Sequence, residues 1–180
     1  NGKIVVPIIY DKVDSRCHSP KYIRSGITRV WKDGLVGGVN YTGTVLLPVE
    51  YQVIENNYEK DLFFVKKDNK YGFYNAEYEL VLPCKYDFTS GFNENEELCA
   101  VGVNGKYGYI DKAGDEVIPL VYDFAGPFCN GLAAVVKDGK LGYINKLGEK
   151  IIPLKYDVEY VRYYYEHGSD DYRKALYLGC

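Results

Sequence analysis

The chain has 180 residues, 47% of them hydrophobic, and a formal net charge of −3 at pH 7. This composition argues against a disordered chain, and the missing excess of basic residues argues against a nucleic-acid partner. No apolar run approaches the about 20 residues that a membrane-spanning helix needs, so no membrane insertion is expected.

The first recurring landmark is a glycine followed by two apolar residues and then Asn or Asp. It begins, at intervals of about 35 residues, at Gly37, Gly72, Gly108 and Gly142. The second landmark is Pro-x-x-Tyr, which ends at Tyr10, Tyr51, Tyr86, Tyr122 and Tyr156. The residue after the tyrosine is, in chain order, Asp11, Gln52, Asp87, Asp123 and Asp157. Because the two landmarks stay in phase, the chain is predicted to be a tandem repeat.

Each repeat is predicted to contain three short strands and two tight turns. Asn104-Gly105 and Asp138-Gly139 are dipeptides that form hairpin turns, and Gly114 and Gly148 serve the second turn. The strand segments are rich in β-branched and aromatic residues, and no segment has a helical period. We expect an all-β fold of tandem three-stranded antiparallel meanders, propeller-like, with an open β-solenoid-type array as the alternative.

We predict that residues 1–180 form a single β-repeat domain of about five units, with incomplete units at both ends. Methionine is absent, and the N-terminus lacks the features of a signal peptide. We therefore interpret the sequence as a fragment of a longer protein. Its N-terminus does not decide the cellular compartment, and export is not excluded.

The recurrent prolines and glycines have positional meaning. Proline cannot donate to a strand ladder, so Pro48, Pro83, Pro119 and Pro153 are expected in an outer strand or at a bend in it. The landmark glycines are expected where a backbone or a ring approaches closely. The tyrosines at repeat positions are expected in the core and between repeats.

With these landmarks the chain resembles the bacterial WG-repeat (KWG-repeat) family, best at Leu132 to Asp157 and at Leu98 to Asp123. The family's tryptophan is replaced here by Val36, Tyr71, Tyr107 and Leu141. The resemblance implies an all-β repeat protein without an established general activity.

The sequence offers little for catalysis. It has two histidines, and the common nucleophile, phosphate-binding and zinc motifs are missing, so we expect neither an enzyme nor a cofactor. The recurrent Asp after Pro-x-x-Tyr has two readings: a ring of carboxylates that binds cations, or a cap on the turn after the third strand. The cap is the preferred reading, because a residue present in every repeat usually serves that repeat.

The connections near both chain ends are longer than the others, and such insertions often form the binding face of a repeat protein. Tyrosine and arginine side chains in these segments favour a protein as the binding partner, with a glycan as the alternative. No metal site is expected. If the array closes, His18 and His167 are expected on one side. The candidate binding residues are Arg16, His18, Tyr22, Tyr160, Arg162, Tyr163, Tyr164, Tyr165 and His167. We expect a non-catalytic scaffold for protein–protein interaction; the alternatives are a carbohydrate- or cell-surface-binding module and an accessory domain of an enzyme or effector.

Five cysteines occur, none in a Cys-x-x-Cys pair. Cys84 and Cys99 replace small apolar residues of other repeats and are expected to be buried, whereas Cys17, Cys129 and Cys180 are less constrained. Reading them as unpaired thiols slightly favours the cytoplasm.

Overall fold

The computed structural model describes residues 9–14, 26–57, 62–92 and 96–158. Within these ranges the chain consists of strands and turns, arranged as four antiparallel sheets of four strands each. No helix in this part of the chain is long and apolar enough to cross a membrane. The expected all-β repeat fold is confirmed.

Each sheet is a meander in which neighbouring strands in sequence are neighbours in space. The first sheet contains β1 (Lys12–Val13), β2 (Thr28–Lys32), β3 (Leu35–Val39) and β4 (Val45–Tyr51). The second contains β5 (Val53–Asn57), β6 (Leu62–Lys67), β7 (Lys70–Tyr74) and β8 (Leu80–Tyr86). The third contains β9 (Phe88–Thr89), β10 (Cys99–Val103), β11 (Lys106–Ile110) and β12 (Glu116–Tyr122). The fourth contains β13 (Phe124–Ala125), β14 (Leu132–Lys137), β15 (Lys140–Asn145) and β16 (Lys150–Asp157).

The three predicted strands of each repeat are present, and a fourth precedes them. This additional strand is β1, β5, β9 or β13, and it begins directly after the Pro-x-x-Tyr segment. Three of the four are only two residues long, which is too short to show the alternation that predicts a strand from sequence. A four-stranded antiparallel meander is the unit from which propellers are built, so the fold is propeller-like.

The chain divides into two compact units, Asn1–Lys85 and Tyr86–Cys180, and each has its own apolar core. In the first unit, the first sheet packs on the second through a cluster of Val36, Leu47, Tyr51, Ile54, Phe63, Val65 and Tyr74. In the second unit, the third sheet packs on the fourth through Leu98, Ala100, Tyr109, Ile118, Tyr122, Ala125, Phe128, Ala133, Val135 and Ile144. The single domain over residues 1–180 stays a prediction.

Hairpin chemistry sets the register of the two central strands. Asn104 and Asp138 have φ of 51° and 50°, and the glycines after them have φ of 73° and 71°, as the predicted turns require. In the second sheet the same turn is formed by Asp68 and Asn69 (φ 50° and 60°), without glycine.

The landmark glycines face the backbone of the outer strand. A Cβ at Gly72 would lie 2.5 Å from the carbonyl oxygen of Leu82, and one at Gly142 would lie 2.6 Å from that of Ile152. Gly37 and Gly108 meet the corresponding carbonyls of Leu47 and Ile118. In the first, third and fourth sheets this contact coincides with a register shift in the outer strand near its exposed proline. The expected close approach and the bend at proline are both confirmed.

Every sheet has two different ends. The first hairpin and the link to the next sheet lie at one end, which in the third sheet holds Asn104-Gly105 and Asp87. We call it the turn end. The connection from the short strand to the first long strand and the second hairpin lie at the opposite end, which we call the loop end. In the third sheet the loop end comprises residues 90–98 and 111–115.

Candidate functional site

The turn end is held by the residue that follows Pro-x-x-Tyr. The Asp11 carboxylate accepts a hydrogen bond from the backbone N–H of Asp33 (2.7 Å), and Asp87 accepts one from Asn104 (2.9 Å). Gln52 substitutes its amide oxygen and accepts from Asn69 (3.0 Å). The predicted cap is therefore present but on a different turn: it closes the first hairpin of the sheet that follows, not the turn directly after the outer strand.

Asp123 shows how this cap also joins two sheets. Its Oδ2 accepts from the backbone N–H of Asp138 in the fourth sheet (2.7 Å), and its Oδ1 accepts from Lys106 Nζ in the third sheet (2.5 Å). Lys140 and Asp157 repeat the ion pair one repeat later. The Lys106 ammonium first, and then the backbone N–H of Asp138, hold the pKa of Asp123 below its ordinary value.

These carboxylates bond to N–H groups of their own chain, which gives no support to a carboxylate ring for cations. In the described ranges, no group of three or more His, Cys, Asp or Glu side chains converges on a possible metal position.

The loop end of the first unit contains a buried ion pair. Asp14 is 9% exposed and accepts from Arg29 through Nη2 (2.9 Å) and Nε (3.2 Å). Arg29 also donates from Nη1 to the carbonyl of Ile54 in the second sheet (3.1 Å). Its guanidinium lies 5.9 Å from the ring centroid of Trp31. A single arginine therefore connects the two sheets of this unit just where the segment 15–25 leaves the first.

The loop end of the second unit has an equivalent anchor of different composition. Glu96 is 5% exposed, and its Oε2 lies 2.6 Å from Lys146 Nζ in the fourth sheet. Its Oε1 accepts from the backbone N–H of Gly131 (3.2 Å). Neighbouring Glu97 pairs with Lys112 at 2.9 Å, but its side chain is 68% exposed. Asp14 and Glu96 are the buried charged side chains of the described residues, and both lie at a loop end.

The second hairpins follow one rule with local exceptions. The landmark Asn or Asp accepts from the backbone N–H two and four residues on, as Asn145 does from Leu147 (3.0 Å) and Glu149 (2.9 Å). The tips carry different side chains, among which Tyr41 is 84% exposed and Leu147 is 80% exposed. Their exposure makes them available for contact.

Tyr78 is the most unusual residue at a second hairpin. It has φ of 61° at the position where the other three sheets have Gly43, Gly114 and Gly148. Its ring centroid lies 5.2 Å from that of Phe63, in the core between the first and second sheets. Packing of the ring offsets a backbone conformation that is unfavourable for a residue with Cβ. The sequence carries this signal, since alignment of the repeats places Tyr78 where the others have glycine.

None of the candidate binding residues predicted from the sequence can be placed. Arg16, His18, Tyr22, Tyr160, Arg162, Tyr163, Tyr164, Tyr165 and His167 all lie outside the described residues. The expectation that His18 and His167 share one side therefore stays a prediction. The pairs Asp14–Arg29 and Glu96–Lys146 were not predicted from the sequence, because these residues do not recur from repeat to repeat.

Among the repeat tyrosines, the core contains Tyr51, Tyr86, Tyr109 and Tyr122, as predicted, whereas Tyr10, Tyr71, Tyr107 and Tyr143 are half-buried. Tyr51 and Tyr74 share a buried hydrogen bond between hydroxyls (2.5 Å), and Tyr109 donates to the carbonyl of Gly126 (2.7 Å). Burial, reinforced by the bond to Tyr74, raises the pKa of Tyr51. Burial likewise raises the pKa of Tyr109. Tyr156 differs, since it is 51% exposed.

The cysteines divide into two groups. Cys99 is buried, as expected, whereas Cys84 is half-buried and not buried as predicted; both are free thiols. Cys129 is disulfide-bonded, so the expectation of unpaired thiols is wrong for this residue. The cytoplasmic location loses this support and stays a prediction.

The repeats match a known family model. A model described as WG containing repeat matches residues 37–71, 71–107, 107–140 and 142–166, which together cover more than half of the chain. The chain belongs to the WG-repeat family. Each of the four matches includes one of the tight glycine contacts described above. A search of curated proteins finds no match for this WG-repeat chain.

Solved structures resemble the chain only distantly. One is the crystal structure of a eukaryotic initiation factor, with a TM-score of 0.47 and 12% identity over 83% of this chain and 44% of that one. Another is Kluyveromyces lactis Hsv2p, with a TM-score of 0.42 and 9% identity over 70% of this chain and 46% of that one. The chain thus spans less than half of either protein, and at these scores neither likeness bears on function.

Proposed function

We propose that the WG-repeat chain is a non-catalytic scaffold for protein–protein interaction, and that in each of its two units the recognition residues lie at the loop end of the sheets. The observation that carries this proposal is the contrast between the two ends. The turn end repeats one hydrogen-bonding scheme in every sheet, whereas the loop end differs from sheet to sheet in length, side chains and anchoring.

The connections at the loop end vary most. The first long strand follows the short one after four residues in the second sheet (58–61) and after nine in the third (90–98). Variable connections on a regular frame are where repeat proteins place recognition residues. The segment that holds Arg16, His18 and Tyr22 also starts and ends at the loop end, since it connects β1 with β2.

The chemistry of this end favours a protein partner. In the first unit Tyr41 offers apolar contact area at a hairpin tip. In the second unit Leu147 does the same, and the Glu97–Lys112 pair supplies exposed charges of both signs. Aromatic and aliphatic anchors within a mixed polar rim are typical of protein interfaces. Asp14–Arg29 and Glu96–Lys146 would fix the positions of the loops before binding, which lowers the entropic cost of association.

The experiment compares partners captured by the wild-type chain with those captured by two variants. One variant combines Tyr41→Ser with Leu147→Ser at the loop end. The other changes Tyr163, Tyr164 and Tyr165, which lie outside the described residues, to serine. A matched control makes the same kind of change at the turn end, with Leu35→Ser and Val121→Ser, both of which replace exposed apolar residues. We expect both variants to lose specific partners and the control to retain them.

Partner sets that are identical for all four proteins would contradict the proposal. A glycan array run with the same proteins separates the alternative, because binding there that depends on Tyr163 to Tyr165 would indicate a carbohydrate module. A further alternative is that the chain is an accessory domain of an enzyme or effector. Partner capture with the full-length protein tests it.

A further inference from the structure

The charged side chains of the second unit are distributed unequally between its two ends. Over residues 86–92 and 96–158, four Asp and four Lys side chains balance at the turn end, whereas the loop end carries six acidic and three basic side chains. The acidic residues of the loop end are Glu96, Glu97, Asp111, Asp115, Glu116 and Glu149. The basic ones are Lys112, Lys146 and Lys150. In this described part of the unit, the formal net charge of −3 therefore lies entirely at the loop end.

The lysines leave part of this acidic charge exposed. Lys112 and Lys146 already form ion pairs with acidic residues of the loop end. Asp115 and Glu116 are exposed to solvent. Their field reaches about 8 Å into solution at physiological ionic strength, so this surface attracts cationic groups and repels anionic ones.

Apolar side chains lie within this acidic surface. Leu147 is 80% exposed and Val117 is 43% exposed. A Cβ at Gly148 would lie 3.7 Å from the side chain of Ile118, so the hairpin tip with Leu147 lies beside the start of β12. Val117 and the acidic residues 115–116 come directly before Ile118 in the chain. The third and fourth sheets therefore present one surface in which negative charge borders apolar contact area.

We propose that the loop end of the second unit binds a short segment of a partner protein in which Lys or Arg side chains flank apolar ones. The inference rests on the proposed function, because it gives the chemistry of the partner at the same end of the sheets. The apolar side chains of the segment contact Leu147 and Val117, while its cationic groups meet Asp115 and Glu116. Apolar anchors give affinity to such a contact, and complementary charges give it specificity and a faster association rate.

Charge complementarity disfavours other occupants of this surface. Nucleic acid is a polyanion and an acidic protein segment carries the same sign as the loop end, so both would be repelled. A second copy of the chain that used the same surface would bring Asp115 and Glu116 against their own counterparts. At the turn end of this unit the described charges balance, so the preference for a cationic partner belongs to the loop end.

The test is a selection of short random peptides displayed against the wild-type chain, followed by fluorescence anisotropy titration of the most enriched peptide. We expect the selected peptides to be rich in Lys or Arg and in apolar residues, and poor in Asp and Glu. Leu147→Ser should weaken binding by about tenfold, because an apolar anchor is lost. Asp115→Asn combined with Glu116→Gln should weaken it by about fivefold, since two exposed charge pairs are lost. Added salt should weaken binding to the wild type more than binding to this double variant.

A matched control makes the same change of charge at the turn end, with Asp138→Asn and Asp157→Asn, and its affinity should equal that of the wild type. Selected peptides that are not basic but still depend on Leu147 would overturn this inference and leave the proposed function standing. Basic peptides that bind all variants equally would overturn the inference and count against the loop end as the recognition surface. A selection that enriches no peptide would also overturn the inference.

Discussion

The turn end and the loop end of the sheets are stabilised in different ways. At the turn end, a side-chain oxygen after Pro-x-x-Tyr accepts one backbone N–H in each of four hairpins, always near the surface. At the loop end, each unit has one buried carboxylate, Asp14 or Glu96, bonded to a cation that reaches across or between sheets. Four weak contacts of one kind at the turn end therefore contrast with two buried, individual ion pairs at the loop end.

This difference explains which end can change. A surface cap contributes little by itself, so a repeat tolerates the replacement of Asp by Gln52. Removing the cationic partner of a buried carboxylate costs much free energy, so Asp14 and Glu96 restrict the backbone near them. The hairpin tips farther from these carboxylates can vary. The loop end thus combines anchored backbone positions with variable hairpin tips, an arrangement suited to a recognition surface.

The largest expected effect is at the loop end of the second unit. Glu96→Ala removes the acceptor for the Gly131 N–H and the partner of Lys146, and we expect a loss of about 2 kcal/mol in the free energy of unfolding. The figure is held below that of a fully buried pair because the Lys146 side chain is 41% exposed. Urea unfolding followed by far-UV circular dichroism measures the loss.

The adjacent residue supplies the control for this prediction. Glu97→Ala removes an exposed pair with Lys112, so we expect a change of less than about 0.5 kcal/mol. Equal effects of the two substitutions would show that burial does not distinguish the anchor from a surface ion pair. The comparison between the two ends would then fail at its strongest point.

A smaller effect is expected at the turn end. Asp123→Asn keeps an acceptor for the Asp138 N–H and loses the ion pair with Lys106, which should cost about 0.5 kcal/mol at pH 7. Since the folded pKa of Asp123 lies below the unfolded value near 4, its stabilisation is present above that value. It is lost as the pH falls through the folded pKa.

Unfolding measured from pH 6 down to pH 2 checks the sign. The stability of Asp123→Asn should fall less steeply in acid than that of the wild type, so that the two curves converge at the lowest pH. Glu116→Gln, an exposed change at the loop end of the same outer strand, should leave the difference between the curves unchanged. Curves that stay parallel down to pH 2 would show that the Asp123 carboxylate is not the stabilising group.

The repeat frame could be predicted from the sequence because it depends on local backbone rules. Asn104-Gly105 and Asp138-Gly139 specify hairpins, and Gly72 leaves no room for a Cβ beside the carbonyl of Leu82. Such constraints act in every repeat, so the residues that satisfy them recur at regular intervals in the sequence. The short strands β9 and β13 escaped prediction because two residues carry no period.

The anchors of the loop end could not be predicted in the same way. Arg29 meets Asp14 across 15 positions, and Lys146 reaches Glu96 from the neighbouring sheet. Neither pair recurs: the pairing of β1 with β2 brings Asp14 to Arg29, and the packing of the third sheet on the fourth brings Glu96 to Lys146. The insertion residues proposed from the sequence, such as Arg16 and Tyr163, lie outside the described residues and stay predictions.

An effect of similar size concerns the first hairpin of the second sheet, which has no glycine. Asn69 has φ of 60°, whereas Gly34, Gly105 and Gly139 hold the same place in the other sheets. Because glycine adopts this conformation without steric cost, Asn69→Gly should stabilise the first unit by about 0.5 kcal/mol. The backbone N–H that bonds to Gln52 is retained, and the fluorescence of Trp31, the single tryptophan, reports unfolding of this unit. The reverse change, Gly105→Asn, should destabilise the second unit by a similar amount. Stabilisation by both changes would show that the turn end is not governed by one backbone rule.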